Sequence, residues 1–87
     1  MRVLLSPLVK KQLKKLPKII QFSVAKKIRD LASGVETTDV KSLVKYKDIY
    51  RIRVGDYRMV YRKKLSDYFI ILIEHRKSVY QSLRRIW

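Results

Sequence analysis

The 87-residue sequence contains no cysteine, which excludes a disulfide scaffold, a cysteine-ligated zinc site and a thiol nucleophile. Histidine occurs once, at position 75, so neither a histidine-based metal cluster nor a pair of catalytic histidines can form. The only two glycines, Gly34 and Gly55, are too few for a glycine-rich phosphate loop or a dinucleotide fingerprint. We therefore expect a protein that uses no metal and no cofactor.

Long apolar stretches are missing as well. The longest purely apolar run covers residues 68–73, far short of the roughly 20 residues that a membrane-spanning helix needs. The apolar stretch near the N-terminus covers only residues 3–5, too little for a secretory signal. A chain without cysteine and without a signal is expected in the cytoplasm, with no membrane partner. The length predicts a single domain over residues 1–87.

Acidic residues are scarce, with seven Asp and Glu against 22 Lys and Arg, and the formal net charge is +15. The basic residues do not form a tail; they alternate with apolar residues inside predicted helices and strands. They therefore belong to the faces of a folded domain. A folded surface this positive predicts a polyanionic partner, and nucleic acid is favoured over an acidic protein or an anionic membrane.

The first half of the sequence predicts a short strand over residues 1–6 followed by two helices. Ser6 followed by Pro7 is the usual pattern of a helix N-cap with proline at the first helical position. Pro17 ends this helix, because proline disfavours the helical conformation of the residue before it. Apolar residues with helical spacing then predict a second helix over residues 18–33, with Gly34 as its stop.

The second half predicts an antiparallel meander of three strands. The alternating runs IYRIRV (49–54) and YRMVYRK (57–63) flank Gly55 and Asp56, and glycine at the first turn position favours a type II′ hairpin. After a turn at Ser66 and Asp67, residues 68–75 are apolar on both faces, as in an interior strand. The pattern does not decide whether residues 40–44 form a short strand or whether residues 78–87 form a terminal helix. The expected fold class is α+β, with the helical hairpin on one face of one sheet.

Four arginines fall on the predicted sheet face that is opposite the helical hairpin. They are Arg51, Arg53, Arg58 and Arg62. Like charges that face each other across a hairpin destabilise it, and the three acidic residues nearby in the sequence are too few to compensate. We interpret this surface, hereafter the arginine face, as an anion-binding site.

The hairpin and the segment after it resemble a known family. The run YRIRVGDYRMVYRK, the hydrophobic strand that follows, and the run EHRKSVY resemble the RelE/ParE superfamily of bacterial and archaeal toxins. The N-terminal run VLLSPLVKKQLKKLP is similar to the first strand and helix of that family, so the likeness covers nearly the whole chain. It implies a RelE-like compact fold and a cognate acidic, RelB-like antitoxin, with operator DNA as a further partner of the toxin–antitoxin complex.

The superfamily has two functional branches. RelE-like members cleave messenger RNA in the ribosomal A site through attack of a 2′-hydroxyl, whereas ParE-like members inhibit DNA gyrase without enzymatic activity. The resemblance assigns Arg58, Arg76 and Tyr80 to catalysis and Arg51 and Arg53 to RNA or phosphate binding, and the arginine face adds Arg62. All these positions hold a usable side chain, which favours the endoribonuclease branch, with the ribosome and messenger RNA as partners. A gyrase inhibitor and a basic RNA-binding domain without activity are the alternatives.

One departure from the family pattern concerns the general base. RelE-like members have lysines at the positions of Arg51 and Arg53, and arginine, unlike lysine, does not lose its proton. Tyr80 is a candidate base, because surrounding arginines favour its phenolate, and stacking on a nucleobase is its other possible role. His75 is expected to be structural, and Glu74 is expected to pair with a nearby arginine.

Overall fold

The computed structural model describes residues 2–35 and 39–86. The described elements, in chain order, are β1 Arg2–Leu5, α1 Pro7–Lys15, α2 Lys18–Ser33, β2 Val40–Ser42, β3 Ile49–Val54, β4 Tyr57–Lys64, β5 Asp67–His75 and α3 Val79–Ile86. Met1 and Trp87, the outermost residues of the predicted first strand and terminal helix, lie outside the described residues. None of the described helices is long and apolar enough to cross a membrane.

The strands form one sheet in the order β1-β5-β4-β3-β2. The β3–β4–β5 meander is antiparallel, and β1 pairs in parallel with β5. The two helices follow β1 and lead to β2 at the other edge of the sheet, from which the meander returns to β1. This α+β architecture confirms the predicted fold class. Both open predictions also hold, since β2 lies within residues 40–44 and α3 within residues 78–87. One detail differs: the last turn lies at Leu65 and Ser66, because Leu65 adopts a φ of 57° and β5 already begins at Asp67.

The predicted helix signals act as expected. The Ser6 hydroxyl accepts a hydrogen bond from the Val9 amide at 3.1 Å, which satisfies one of the free N–H groups of the first turn of α1. Gly34 ends α2 in the left-handed conformation with a φ of 74°, and the Val35 amide then donates to the Asp30 carbonyl at 2.9 Å. Gly55 has a φ of 60°, as the first position of a type II′ turn requires.

The main hydrophobic core lies between the helical hairpin and one face of the sheet. Its fully buried members include Val9 and Val24 from the helices and Ile52, Met59 and Ile70 from the strands. Ile52 and Met59 come from the predicted apolar face of the β3–β4 hairpin, so alternation along these two strands determines which side of the sheet carries the helices. The arginine face consequently lies on the other side.

A second, smaller core covers part of the arginine face. Ile49, Val60 and Leu72 project from β3, β4 and β5, and α3 packs Val79 and Leu83 against them. The expectation that this face is left to the four arginines is therefore incomplete. The same alternation that exposes the arginines also exposes an apolar patch, and burying that patch requires a cover.

β5 is longer than its partner β1, which pairs with it only as far as Ile70, so the last part of this edge of β5 has no neighbouring strand. The Ser6 amide donates to the Ile70 carbonyl at 3.2 Å, and past that point the side chain of Gln12, on α1, replaces the missing strand. The Gln12 Oε1 atom accepts from the Ile73 amide at 2.8 Å, which satisfies a donor that would otherwise be unpaired. Helix α1 thereby fixes the end of β5 from which the chain enters the candidate site.

Candidate active site and nucleic-acid interface

Three arginines of the sheet lie side by side near the β3–β4 turn. Arg53 and Arg58 are directly opposite partners in the antiparallel ladder, and Arg51 lies two residues before Arg53 on the same strand face. Within the described residues, none of the three forms an ion pair with a carboxylate. Glu74 lies opposite Arg58 in the β4–β5 ladder but forms no ion pair with it among the described contacts, so the three positive charges are concentrated without a paired carboxylate.

Arg58 is at the centre of this cluster. Its Nη1 donates to the carbonyls of Gly55 at 3.0 Å and Tyr57 at 2.9 Å, so the guanidinium is held against the turn. Burial lowers the pKa of Arg58, and so do the charges of Arg53 and Arg51. An arginine remains charged despite such a shift, and a bound anion would offset both the desolvation of Arg58 and its repulsion by Arg53 and Arg51.

Two groups from the segment after β5 also act on Arg58. The charge of Arg76 lowers the pKa of Arg58, whereas an ionised Tyr80 raises it. Both side chains therefore lie within electrostatic reach of the sheet cluster. The structure brings together five of the six predicted site residues: Arg51, Arg53, Arg58, Arg76 and Tyr80.

Arg51 carries a donor that the described residues do not satisfy. Its Nη1 atom is buried without a hydrogen-bond partner among them. A buried donor without an acceptor costs about 1–3 kcal/mol, more when the group is charged. An anionic ligand that offers an oxygen to this guanidinium would remove that cost.

Arg76 is oriented by the turn that precedes α3. Its backbone amide donates to the Asp56 carbonyl at 2.8 Å, and its Nε lies 3.6 Å from the Asp56 Oδ1. Asp56 thus joins the β3–β4 turn to the end of β5, a positioning role that the sequence analysis did not assign. The ion pair is exposed and leaves the rest of the Arg76 guanidinium available for a ligand.

Arg76 and Tyr80 both act on Arg58, but they do not lie on one helix. Helix α3 begins at Val79, and residues 76–78 form a turn in which the Ser78 amide donates to the His75 carbonyl at 3.0 Å. The burial of Val79 then orients the first turn of α3. Tyr80, the next residue, is 39% exposed.

Arg62 does not join the cluster. It lies four residues from Arg58 along β4, which corresponds to about 13 Å at the usual rise of a strand. Val60, covered by α3, lies between them on the same face. The arginine face is therefore divided, and Arg62 lies beside Ile49 and Phe69 in the register of the sheet.

His75 and Glu74 have contacts typical of structural residues. The His75 ring packs edge-on against Tyr57 with centroids 5.5 Å apart, and its Nδ1 accepts from the Lys77 amide at 3.2 Å. Glu74 accepts from the Ser78 hydroxyl at 2.9 Å and from Gln12 at 3.4 Å. Glu74 forms no ion pair with an arginine among the described residues, so the prediction that it pairs with a nearby arginine is wrong.

A cleft that the sequence analysis missed borders the cluster. It has a volume of about 240 Å³ and lies between residues 43–46 and α3. Tyr80 lines it on the side of the arginines, and the remaining walls include Leu43, Lys45, Tyr46, Leu83 and Arg84. Residues 43–48 have no helical or strand periodicity, so the sequence did not indicate a cleft there. The only available signal was Tyr46 between Lys45 and Lys47, a combination of aromatic and basic residues that is typical of nucleic-acid contacts.

No group of three or more acidic or histidine side chains suited to a metal ion occurs in residues 2–35 and 39–86.

Comparisons with known proteins place this arrangement in a family. A sequence model of the family described as the ParE toxin of type II toxin–antitoxin systems, parDE, matches residues 3–80. A comparison with curated proteins finds no match. Solved structures, by contrast, match along most of the chain.

Two archaeal complexes are among these structures. The chain is similar to the RelB-RelE antitoxin–toxin complex of Methanococcus jannaschii, with a TM-score of 0.81 and 27% identity, over 91% of this chain and 96% of that one. It is also similar to the RelE-RelB complex of Pyrococcus horikoshii, with a TM-score of 0.69 and 30% identity, over 86% of this chain and 93% of that one. Free E. coli RelE shares the fold, with a TM-score of 0.73 and 22% identity, over 99% of this chain and 97% of that one.

Proposed function

Because the chain belongs to the RelE/ParE superfamily of type II toxins and is RelE-like, we propose that it is an endoribonuclease that cleaves messenger RNA in the ribosomal A site. The observation that carries this proposal is the cluster of Arg51, Arg53 and Arg58 beside Arg76 and Tyr80. A cleavage reaction of a phosphodiester needs charge stabilisation together with proton transfer, and this cluster contains groups for both.

The proposed reaction is attack of an RNA 2′-oxygen on the adjacent 3′-phosphorus. A new bond forms from the 2′-oxygen to phosphorus, and the bond from phosphorus to the 5′-oxygen breaks. The 2′-hydroxyl proton leaves to a base, and a proton from solvent completes the departing 5′-hydroxyl. The products are a 2′,3′-cyclic phosphate and a free 5′-hydroxyl, so no metal or cofactor is required.

The arginines would bind the scissile phosphate and stabilise the charge that develops on it. Arg58 and Arg53, opposite each other across the hairpin, offer planar donor groups to its oxygens, and Arg51 contributes its unsatisfied donor. Arg76, oriented by Asp56, would stabilise the negative charge on the departing oxygen. Arg62, far along β4, would contact a more distant phosphate of the strand.

Tyr80 is the proposed general base. The arginines cannot accept a proton, and His75 and Glu74 are occupied with structural contacts. Tyr80 has a hydroxyl oxygen that can accept a proton, and it lies within electrostatic reach of Arg58. Because the site lacks a histidine pair and paired carboxylates, cleavage of free RNA would be slow, and the ribosome would supply the positioning of the substrate.

The expected partner is an acidic antitoxin. The two archaeal relatives were solved as complexes of RelE with RelB, which supports an antitoxin partner for this chain. A net charge of +15 favours an acidic protein that covers part of the arginine face and competes with RNA for it. Contact with operator DNA would occur through that complex.

The alternative is inhibition of DNA gyrase by binding, which the ParE name of the matching family model favours. A gyrase inhibitor has no need of a proton acceptor at Tyr80. Tyr80→Phe removes only the hydroxyl, so it separates the two functions while the ring and its packing stay in place. A basic domain that binds RNA without cleaving it is the third possibility, distinguished by the absence of cuts.

We expect Tyr80→Phe to reduce cleavage of ribosome-bound message by roughly 10²–10⁴-fold, the range of a lost acid–base group, with little change in ribosome binding. Primer extension on translated message measures the cuts directly. Tyr57→Phe, which removes a tyrosine hydroxyl from the opposite face of the sheet, is the matched control and should cleave as wild type. Full cleavage by Tyr80→Phe would refute the proton-transfer role. A wild-type protein that makes no cuts but blocks supercoiling by gyrase would refute the nuclease function itself.

A further inference from the structure

We propose that the cleft between residues 43–46 and α3, hereafter the α3 cleft, binds one nucleobase of the RNA strand whose phosphate the arginines hold. This inference rests on the proposed function, since it assumes a single-stranded RNA ligand. Tyr80 connects the two sites, because it lines the α3 cleft and also acts electrostatically on Arg58. A nucleotide bound at the arginine cluster therefore has this cleft beside it.

The lining of the α3 cleft suits the flat, apolar face of a base. The rings of Tyr46 and Tyr80 offer stacking, and the buried Leu83 lies beneath them as an apolar lining residue. Tyr46 is half-buried against the second hydrophobic core, so one part of its ring is packed and another part is accessible to a ligand. Val44, at the rim, is 99% exposed, so an apolar residue lies uncovered at the entrance.

Charge and size point to a nucleotide. Lys45 and Arg84 are the charged groups of the lining, and both are cations that would meet the phosphates on either side of an inserted base. A volume of about 240 Å³ is below the roughly 300–1,000 Å³ of pockets for drug-sized ligands, so the cleft accommodates a single ring system. An acidic peptide would satisfy the cations but would leave the aromatic walls without a planar partner.

The proposed subsite contributes to binding rather than to proton transfer. A base stacked on an aromatic side chain gains affinity with little sequence preference, because every base has a π-face. Removing the aromatic ring of Tyr46 should therefore weaken RNA binding to a similar extent for different sequences, and it should raise KM while kcat changes little.

The test uses the full chain and a short single-stranded RNA that carries a 2′-deoxy nucleotide at the cleavage position, so that it binds without being cut. Affinity is measured by fluorescence anisotropy at fixed low salt, with oligonucleotides in which each base in turn is removed to leave an abasic site. For the wild type, one abasic position should weaken binding by roughly 5–150-fold, the range for one stacked base. Tyr46→Leu, which keeps apolar packing but loses the ring, should bind the intact RNA as weakly as the wild type binds the abasic one, with no further loss on the abasic RNA.

Tyr46→Phe retains the ring and should retain the affinity of the wild type. Phe22→Leu removes an aromatic ring that is 75% exposed on α2 and should leave affinity unchanged, which controls for general stacking on exposed rings. Equal affinity of Tyr46→Leu and wild type for both oligonucleotides would overturn the base subsite, as would absence of RNA binding. The nuclease function is decided separately, by cuts on programmed ribosomes, so the two proposals can fail independently.

Discussion

The position of helix α3 on the sheet should depend strongly on Leu83, one of its two buried side chains. It has eight residues, fewer than the roughly 12–15 at which isolated helices become even marginally stable in water. Its docking therefore relies on tertiary packing, and its buried side chains are Val79, fully buried, and Leu83, 1% exposed. Tyr80 lies between these two anchors, so the same packing holds the proposed base beside Arg58.

Leu83→Ala removes most of this docking free energy. Burying two such aliphatic side chains stabilises the docked helix by about 3–6 kcal/mol, before the entropy lost by ordering the segment is subtracted. A leucine-to-alanine change in a core costs about 2–5 kcal/mol, so little or no net docking free energy remains. The main core on the opposite face of the sheet does not involve Leu83. We therefore expect α3 to undock while the sheet stays folded.

Amide hydrogen exchange measures this directly. In Leu83→Ala, the α3 amides should exchange at rates close to those of an unstructured peptide, while the β4 and β5 amides keep clear protection. Ile86→Ala, at a position of the same helix that is 49% exposed, is the control and should leave α3 protected. Cleavage should fall with α3 undocked, because Tyr80 is no longer held in the site. Persistent protection of α3, or loss of protection throughout the sheet, would refute this reasoning.

Two further predictions concern the sheet. Burial raises the pKa of Tyr61 from 10.0 to about 12, so the unfolded chain loses this proton at lower pH than the folded chain. The free energy of unfolding is therefore at its full value below about pH 10 and falls by about 1.4 kcal/mol per pH unit between pH 10 and pH 12. In urea unfolding from pH 9 to 12, Tyr61→Phe should lose this component of the pH dependence and Tyr57→Phe should keep it; equal slopes for all three proteins would contradict the assignment. Arg58→Ala should abolish growth arrest yet change the free energy of unfolding by no more than about 1 kcal/mol, because the lost hydrogen bonds to the turn are offset by relief of repulsion from Arg53. Unchanged toxicity at normal expression would remove Arg58 from the site.

The sequence alone was enough to predict the elements whose signals are local. Ser6 and Pro7 mark the start of α1 because capping involves only neighbouring residues, and Gly34 and Gly55 mark positions that need a positive φ. Strict alternation along β3 and β4 separated the core side of the sheet from the arginine side. The resemblance to the toxin family depended on these same local runs, which is why it identified the fold and the residues of the cluster together.

Tertiary structure decided what depends on contacts between distant segments. The docking of α3 could not be predicted from eight residues, because its stability comes from Ile49, Val60 and Leu72 on three separate strands. That docking separates Arg62 from Arg58 and creates the α3 cleft, two consequences invisible in the sequence. Asp56 likewise acquires its role only when the end of β5 reaches the β3–β4 turn. Residue type and spacing specify which way a side chain points from its own strand or helix, but the groups it meets are determined by long-range packing.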